Sequence, residues 1–459
     1  MRQTVFAFAV VLLGSLAAVH AAQPATQGAA LPPRDAYGGA TTIKAKATGY
    51  FRLEEIGGRW FFITPEGHGY IPLGVNHLQS YFGGFGGKLR PGEPDLVAEQ
   101  DGGQPQRAAQ RVEALLRDLE YNYAGYDAPE VFRQRMPFSV GFIQVRTSAT
   151  IEDVKFVDVF SPAYARDLDG RVAAICKPLR ENRHLLGYYL ADQPLWGGRK
   201  FMDAEEKSRG ESWLSFFRKL PGDAPGRQAY EKFLAARYAG RFDAFKKLYA
   251  AAALGFGEPL GIDFDKTNRD APEVVADDEA FVAEIADQIY RLTSEAFGRH
   301  DPNHLVLGER FAGGSRMFMP ALEKAAKYFP VVAVQLEGDF NKELYGGLFR
   351  RLGRPVISVD HIIRFVTPEG LKLVGRAPPM KSEEEAAALY SRYLREAFAE
   401  PYMVGYNRCQ LVTRIRVDGD PPAWKQGILD PQGKPYATMC QAVRTANREA
   451  LARLYTAGN

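Results

Sequence analysis

The sequence of 459 residues has little cysteine and little net charge, and each shortage excludes a class of protein. Its three cysteines, Cys176, Cys409 and Cys440, are far apart and lack C-x-x-C spacing, which argues against a zinc site and a disulfide framework. The 58 basic and 55 acidic residues leave a net charge of +3, so the charge gives no indication of a nucleic-acid partner. We expect neither a metal nor a cofactor.

Beyond the N-terminus, the sequence also lacks any apolar run close to the ~20 residues that a membrane span needs. Residues 1–21 have a basic start, an apolar run at positions 4–19 and a Val-x-Ala ending, which is typical of a secretory signal peptide cut after Ala21. The mature protein is therefore expected to be secreted or periplasmic, with no integral membrane segment. Residues 22–46 are rich in Ala, Gly, Pro and Thr and predict a flexible lead-in.

The rest of the chain has the pattern of an α/β protein. At residues 47–69, two aromatic-rich extended runs separated by Gly57 and Gly58 predict an N-terminal β-hairpin region. From residue 70 to 450, extended apolar runs alternate with runs of helical spacing, which is typical of parallel strands joined by crossover helices. About eight strands are counted, so we expect a (β/α)₈ TIM barrel. The helical region at 213–253 follows the fourth strand and is longer than one crossover needs, which indicates an insertion.

Polar or ionisable side chains lie in or directly after most of the expected strands. The clearest example is the run at residues 184–197, which is apolar until it ends in Asp192 and Gln193. Active sites of parallel barrels form at the carboxyl ends of the strands, so these side chains are the site candidates. In chain order the candidates are Asn76, His77, Asn122, Tyr188, Asp192, Gln193, Glu309, Arg310, Glu337, Asp360, His361 and Arg408.

Several segments carry a resemblance to a known family. Residues 58–68 (GRWFFITPEGH), followed by 73–77 (LGVNH), are similar to the beginning of agarase-like glycoside hydrolases, which belong to the TIM-barrel clan of retaining glycosidases. The further similar segments are residues 236–240, 301–311, 427–430 and 433–436. Together they extend from about residue 49 to 447. The resemblance implies an exported carbohydrate-active enzyme that cleaves glycosidic bonds of a polysaccharide or oligosaccharide.

The sequence departs from this family at the catalytic positions. The resemblance implies Asn-Glu after the fourth strand, where Glu is the general acid/base, and a second Glu after the seventh strand as nucleophile. This chain has Asp192-Gln193 and Asp360 at those positions, and Arg408 where a Trp usually stacks on the sugar. Gln193 cannot exchange a proton as a carboxylic acid does. Asp360 is one methylene shorter than Glu, which sets its carboxylate back from the sugar carbon.

Three interpretations of these changes stay open. In the first, hydrolysis continues with Asp360 as nucleophile or base, and another carboxyl supplies the proton. The carboxyls considered for that role are Glu337, Glu309 and Asp192. In the second, the chain is a polysaccharide lyase that cleaves a uronic-acid polymer by β-elimination. In the third, a non-catalytic pseudoenzyme binds glycan without cutting it.

Elimination requires a group that neutralises the sugar carboxylate and a base that takes the adjacent proton. Arg408, Arg310 and Gln193 are the candidates for the first role, and His361, His77 and Tyr188 for the second. The two arginines also make an acidic glycan the expected partner. Across the interpretations, we expect catalytic roles for Gln193, Asp360, His361, Glu337 and Tyr188, and substrate binding by Asn76, His77, Asn122, Asp192, Glu309, Arg310 and Arg408.

Overall fold

The computed structural model describes residues 31–84, 89, 92–126, 128–141, 156–314, 317–367, 378–414 and 426–456. The expected signal peptide, residues 1–21, lies outside these ranges, as does the first part of the expected lead-in. No helix within the described ranges has the length and apolar character needed to cross a membrane.

A four-stranded antiparallel sheet forms the N-terminal region. Its strands are β1 (Ala40–Lys44), β2 (Arg52–Ile56), β3 (Arg59–Ile63) and β4 (His68–Tyr70), in the order β1-β4-β3-β2. Gly57 and Gly58 both have positive φ, as a two-residue hairpin turn between β2 and β3 requires. Strand β1 lies inside the range that we expected to be a flexible lead-in. It pairs with β4 and buries Ala40 and Ile43, and Ile43 packs into the space left by the missing side chain of Gly69.

The second sheet is parallel, curled and seven-stranded. Its strands are β5 (Leu73–Asn76), β6 (Phe138–Val140), β7 (Leu185–Asp192), β8 (Leu305–Ala312), β9 (Val332–Gln335), β10 (Val356–Ile362) and β11 (Met403–Cys409), in the order β5-β11-β10-β9-β8-β7-β6. Parallel bridges from Gly74 to Tyr123 and from Tyr126 to Ser139 place the segment 121–126 between the two ends of this order, β5 and β6. The mixed α/β architecture with a parallel sheet confirms the expected fold class at that level.

Helices cover the outer face of the parallel sheet. They are α1 (Leu96–Asp101), α2 (Pro105–Asp118), α3 (Pro162–Cys176), α4 (Arg199–Arg209), α5 (Trp213–Lys219), α6 (Pro225–Arg237), α7 (Phe242–Tyr249), α8 (Pro272–His300), α9 (Met319–Tyr328), α10 (Lys342–Leu352), α11 (Glu383–Ala397) and α12 (Ala437–Thr456). The helical region expected at 213–253 corresponds to α5–α7, and α4 precedes it after β7. Pro221 and Pro225 separate α5 from α6, and Pro225 begins α6.

The antiparallel sheet packs against the amino ends of the parallel strands. Phe62 and Tyr70 belong to the same buried cluster as the inward-facing side chains of the parallel sheet, such as Leu186 and Ile357. The backbone N–H of Trp60 donates to the carbonyl just before β11. The N-terminal sheet therefore covers one end of the parallel sheet, and the carboxyl ends of the strands lie at the other end.

Candidate functional site

The candidate site lies at the carboxyl ends of the parallel strands. It brings together side chains from β5, the segment 121–126, β7, β8, β9 and β10. The members are Asn76, His77, Tyr126, Asp192, Gln193, Arg310, Gln335 and Asp360, which are connected by hydrogen bonds or ion pairs. Six of these eight residues were predicted from the sequence; Tyr126 and Gln335 were not.

Asp360 is the centre of this network. Its Oδ2 atom lies 2.6 Å from Nη1 of Arg310 and accepts a hydrogen bond from the hydroxyl of Tyr126. Its Oδ1 atom accepts from Nδ2 of Asn76 at 2.8 Å and lies 3.6 Å from Nε2 of His77. The residue is only 4% exposed, so this set of partners fixes the orientation of the carboxylate.

The backbone conformation of Asp360 determines which side of the sheet its carboxylate faces. Strand alternation would put Asp360 on the outer face, since Val359 before it packs in the inner cluster. The φ of Asp360 is +52°, however, and the pairing of β10 with β11 shifts register between Ser358 and His361. Both Val359 and Asp360 therefore face inward, and His361 faces outward. Asp tolerates this left-handed conformation better than most residues.

Two other strand ends carry the same unusual backbone. His77, directly after β5, has φ +60°, and Gln193, directly after β7, has φ +50°. A non-glycine residue in this region costs of order 1–3 kcal/mol and persists where the surrounding structure imposes it. Three of these positions meet at one edge of the sheet, which marks that edge as a candidate functional site on grounds independent of side-chain chemistry.

Arg310 supplies the positive charge of the site. Its side chain is fully buried, and its guanidinium carbon lies 3.5 Å from the ring centroid of Tyr126. Its Nη2 atom is 3.4 Å from Oδ1 of Asp192, while Nη1 contacts Asp360. Burial lowers the pKa of Arg310, but the charges of Asp192, Tyr126 and Asp360 outweigh it and the net shift is upward. One guanidinium therefore joins the two carboxylates.

This shared contact limits the separation of the two carboxylates. The terminal nitrogens of a planar guanidinium are about 2.3 Å apart, so the nearest oxygens of Asp192 and Asp360 are at most about 8 Å apart. Glycosidases use pairs of carboxyl groups at ~5 to 9.5 Å, with the shorter distances for retention and the longer ones for inversion. This upper limit is smaller than the longest separation that glycoside hydrolysis uses.

Two glutamines position the carboxylate of Asp192, which is more exposed than that of Asp360. Nε2 of Gln335 donates to Oδ1 of Asp192, and Nε2 of Gln193 donates to Oε1 of Gln335 at 3.3 Å. The side chain of Asp192 is 31% exposed, which makes it the accessible acid of the pair. The backbone N–H of Gln193 donates to the carbonyl of Arg310. Gln335 is the last residue of β9, so its position at a strand end was the signal that could have identified it.

Glu337 lies near this end of the sheet but has its own partner. It forms a bridge with Ile362 at the end of β10, and its Oε2 atom is 2.7 Å from Nη2 of Arg364. Its side chain is 29% exposed. The structure shows no hydrogen bond or ion pair between Glu337 and the eight residues of the network among the described residues.

Two of the predicted site residues face the opposite side of the sheet. His361 stacks on Tyr393 of α11, and its ring nitrogens contact the hydroxyl of Tyr406 at 2.9 Å and the carbonyl of Gly338 at 2.8 Å. Burial, together with the nearby charge of Arg408, lowers the pKa of His361 to about 3. Arg408 pairs in register with His361 and Val75 and is fully buried on this outer side. Neither residue is placed to contact a substrate at the network.

Glu309 also lies on the outer side, between β8 and α8. Its Oε2 atom accepts hydrogen bonds from Nε1 of Trp196, at 2.7 Å, and from the hydroxyl of Tyr290. Burial raises the pKa of Glu309 to about 7, although these two hydrogen bonds lower it in part. The positive φ of Gly308 and the irregular pairing of β8 with β7 place Glu309 outward and Arg310 inward.

The remaining two predicted residues have structural partners. The hydroxyl of Tyr188 donates to Oδ2 of Asp301 at 2.5 Å, on the outer side near His304. Asn122 bonds to backbone groups: its Oδ1 accepts from the N–H of Leu73 and its Nδ2 donates to the carbonyl of Ile71. These bonds attach the start of the segment 121–126 to the amino end of β5, so the side chain of Asn122 lies away from the network although Tyr126 belongs to it.

Two triads within the described residues have the donor atoms of a metal site: Asp35, Glu66 and His68 in the N-terminal region, and a buried triad at the network. Ligand atoms of His77, Asp360 and Cys409 lie within 4.8 Å of one another, and all three residues are buried. The guanidinium of Arg310 already lies 2.6 Å from Asp360, where a metal ion would need the same carboxylate. A second cation there would be repelled at short range, so the donor set does not fit a resident metal.

Solved structures of agarases share this fold. The chain matches an exo-β-agarase with a TM-score of 0.76 and 18% identity, over 93% of this chain and 69% of that protein. It matches the agarase AgWH50C with a TM-score of 0.75 and 18% identity, over 94% and 69%, and BpGH50 with a TM-score of 0.67 and 15% identity, over 92% and 87%. No protein-family model and no curated protein sequence matches. The chain therefore has an agarase-like glycoside hydrolase fold, the fold of the GH50 agarases.

Proposed function

We propose that this chain cleaves glycosidic bonds of a polysaccharide or oligosaccharide by a glycoside-hydrolase mechanism that uses two aspartates. The proposal includes a closed (β/α)₈ barrel in which the segment 121–126 is the second strand, and the network at the strand ends is its active site. Export by the N-terminal signal peptide is part of the same proposal, since polymeric glycans are met outside the cell.

The observation that supports this proposal most directly is that Asp192 and Asp360 both contact the guanidinium of Arg310, at the carboxyl ends of β7 and β10. In this reading Asp192 is the proton donor because it is the accessible carboxyl, and Asp360 is the nucleophile or the base that activates water. Asn76, Tyr126 and Arg310 hold Asp360 in place, so its approach to the sugar depends on the substrate reaching into the site.

The structure changes the expectation for substrate charge. Arg310 is neutralised by two carboxylates, and Arg408 faces the layer under α11 and α12. Neither arginine supports an acidic glycan. We therefore propose a substrate whose recognition does not depend on these cations, and the agarases that share the fold make agarose and its oligosaccharides the first glycans to test.

Elimination finds less support at this site. Of the bases considered for it, His361 and Tyr188 lie on the outer side. His77 belongs to the network, and its Nε2 is 2.9 Å from the hydroxyl of Tyr126. Burial raises the pKa of Tyr126 well above its usual value, so the hydroxyl is a poor base. The cation required to neutralise a uronate is occupied by Asp192 and Asp360.

The test is an assay of the mature protein on agarose, agaro-oligosaccharides, uronic-acid polymers and sulfated polysaccharides. Reducing ends and near-ultraviolet absorbance are measured together. We expect new reducing ends without absorbance, and a loss of at least about 100-fold in D360N and D192N. The control is D169N, which makes the same change at an exposed carboxylate paired with Arg299 and should retain activity.

Three outcomes would contradict the proposal. Absorbance that rises with reducing ends would indicate elimination. Glycan binding without cleavage of any substrate would indicate the non-catalytic alternative. Cleavage that persists at the wild-type rate in D360N and D192N would show that the shared-guanidinium pair is not the catalytic pair.

A further inference from the structure

The side chain of Arg408 is buried and has no polar partner among the described residues. Its exposure is 0%, and its nitrogens Nε, Nη1 and Nη2 have no hydrogen-bond partner within the described part of the chain. No carboxylate of the described residues lies within 4.0 Å of it, whereas the other fully buried arginine of the parallel sheet, Arg310, has two. A guanidinium keeps its charge in proteins, so a full positive charge is enclosed here, and the described residues provide no counter-charge in contact with it.

The surroundings of Arg408 are the layer between β11 and helices α11 and α12. Its strand neighbours are His361 on β10 and Val75 on β5. Its charge also acts on side chains of the two helices, Tyr390 of α11 and Cys440 of α12. This layer is separate from the network around Asp360, which lies on the inner side of the same strands.

Five titratable side chains of the described residues feel the charge of Arg408, and each of them is neutral near pH 7. Burial raises the pKa of Tyr121 to about 12 and that of Cys440 to about 11. Burial also raises the pKa of Tyr390 and Tyr406 well above the usual value, and it lowers the pKa of His361 to about 3. None of these groups therefore supplies a negative charge to Arg408. No carboxylate of the described residues contacts it either.

An enclosed cation without a counter-charge is among the most costly arrangements in a protein interior. A water molecule would satisfy one or two of the N–H groups but would leave the charge uncompensated. A small monovalent anion would do both, because it accepts several hydrogen bonds and cancels the charge. We propose that Arg408 holds a buried halide-sized anion, with chloride as the physiological ligand, in the layer under α11 and α12.

The first test is crystallographic. Crystals of the full-length mature protein are grown in sodium bromide, and the anomalous signal of bromide is measured. We expect a peak in contact with the guanidinium of Arg408. A water at that place, or no density, would overturn the proposal, and this measurement does not depend on the folding of any variant.

The second test is thermal unfolding at constant ionic strength, with chloride replaced stepwise by gluconate, which is too large for an enclosed site. We expect the Tm to rise by roughly 2 °C for each tenfold increase in chloride above its Kd. In R408M the dependence should disappear. In gluconate alone R408M should be at least as stable as the wild type, because an apolar side chain replaces an uncompensated charge.

The matched control is R299M, which removes an exposed arginine that pairs with Asp169 at 2.7 Å and should keep the chloride dependence. Equal chloride dependence in R408M and the wild type would place the anion elsewhere and overturn the assignment. So would a Tm that does not change with chloride in the wild type. Each test is independent of glycan cleavage, so its result stands whether or not the proposed enzymatic function is correct.

Discussion

Glu309 provides the most quantitative prediction of the structure, because its carboxyl is buried and accepts hydrogen bonds from two side chains of the described residues. The carboxyl lies between β8 and α8, where Tyr290 and Trp196 both donate to the same oxygen. Burial raises its pKa from 4.5 to about 7. The perturbation that tests this is E309Q, which keeps the shape and one acceptor oxygen and removes the titration.

The direction in which pH changes the free energy of unfolding follows from the linkage between protonation and folding. A carboxyl with a higher pKa in the folded state binds its proton more tightly there, so it favours folding fully below pH ~4.5 and loses that contribution as the pH rises through ~7. At about 1.4 kcal/mol per pKa unit, the loss amounts to about 3 kcal/mol. The free energy of unfolding of E309Q minus that of the wild type should therefore increase by about 3 kcal/mol between pH 4.5 and pH 8.

The assay is urea unfolding at a series of pH values for both proteins. Taking the difference between them cancels the titration of all groups that they share. E323Q is the control, since Glu323 is an exposed carboxylate paired with Arg351 and its variant should show little pH-dependent difference. A difference for E309Q that stays constant from pH 4.5 to 8 would show that Glu309 does not titrate in this range, and the burial argument would be refuted.

Two further substitutions test the network at the strand ends. R310M removes the cation that Asp192 and Asp360 share and should lower the free energy of unfolding by about 3–5 kcal/mol in urea denaturation; a loss below 1 kcal/mol would mean that the ion pairs are not formed. G125A places a Cβ atom 2.4 Å from Oδ1 of Asn76, the side chain that donates to Asp360. Gly102 has a similar positive φ, but a Cβ atom added there would meet no atom within 4 Å, so G102A is the control. Thermal unfolding should show a larger loss for G125A than for G102A, and equal losses would leave backbone strain as the only effect.

The position of the site could be predicted from the sequence because the carboxyl ends of parallel strands share one edge. Asn76, His77, Asp192, Arg310 and Asp360 lie at the carboxyl ends of four strands, β5, β7, β8 and β10, which are far apart in the chain. The fold brings them within hydrogen-bonding or ion-pair distance. The alternation of helix and strand was sufficient for that prediction, since it requires only the order of the elements and the direction of the sheet.

The side of the sheet that each residue faces could not be predicted in the same way. Strands of a parallel sheet are buried on both faces, so they lack the alternation of polar and apolar residues that would indicate the inner side. The left-handed φ of Asp360 and the positive φ of Gly308 then change the alternation locally. For this reason His361 and Glu309, each adjacent to a true member of the network, were predicted in the site but lie on the outer side.

Helix α8 packs against both the insertion and the parallel sheet. Its 29 residues extend over about 43 Å, whereas an eight-residue strand such as β8 covers about 26 Å. The amino-terminal part packs Phe281 against Tyr230 of α6 and Phe217 of α5, and the carboxyl-terminal part carries Tyr290 against β8. Deleting α4–α7 to shorten the chain would therefore expose the apolar face of α8, a helix that also packs against the parallel sheet.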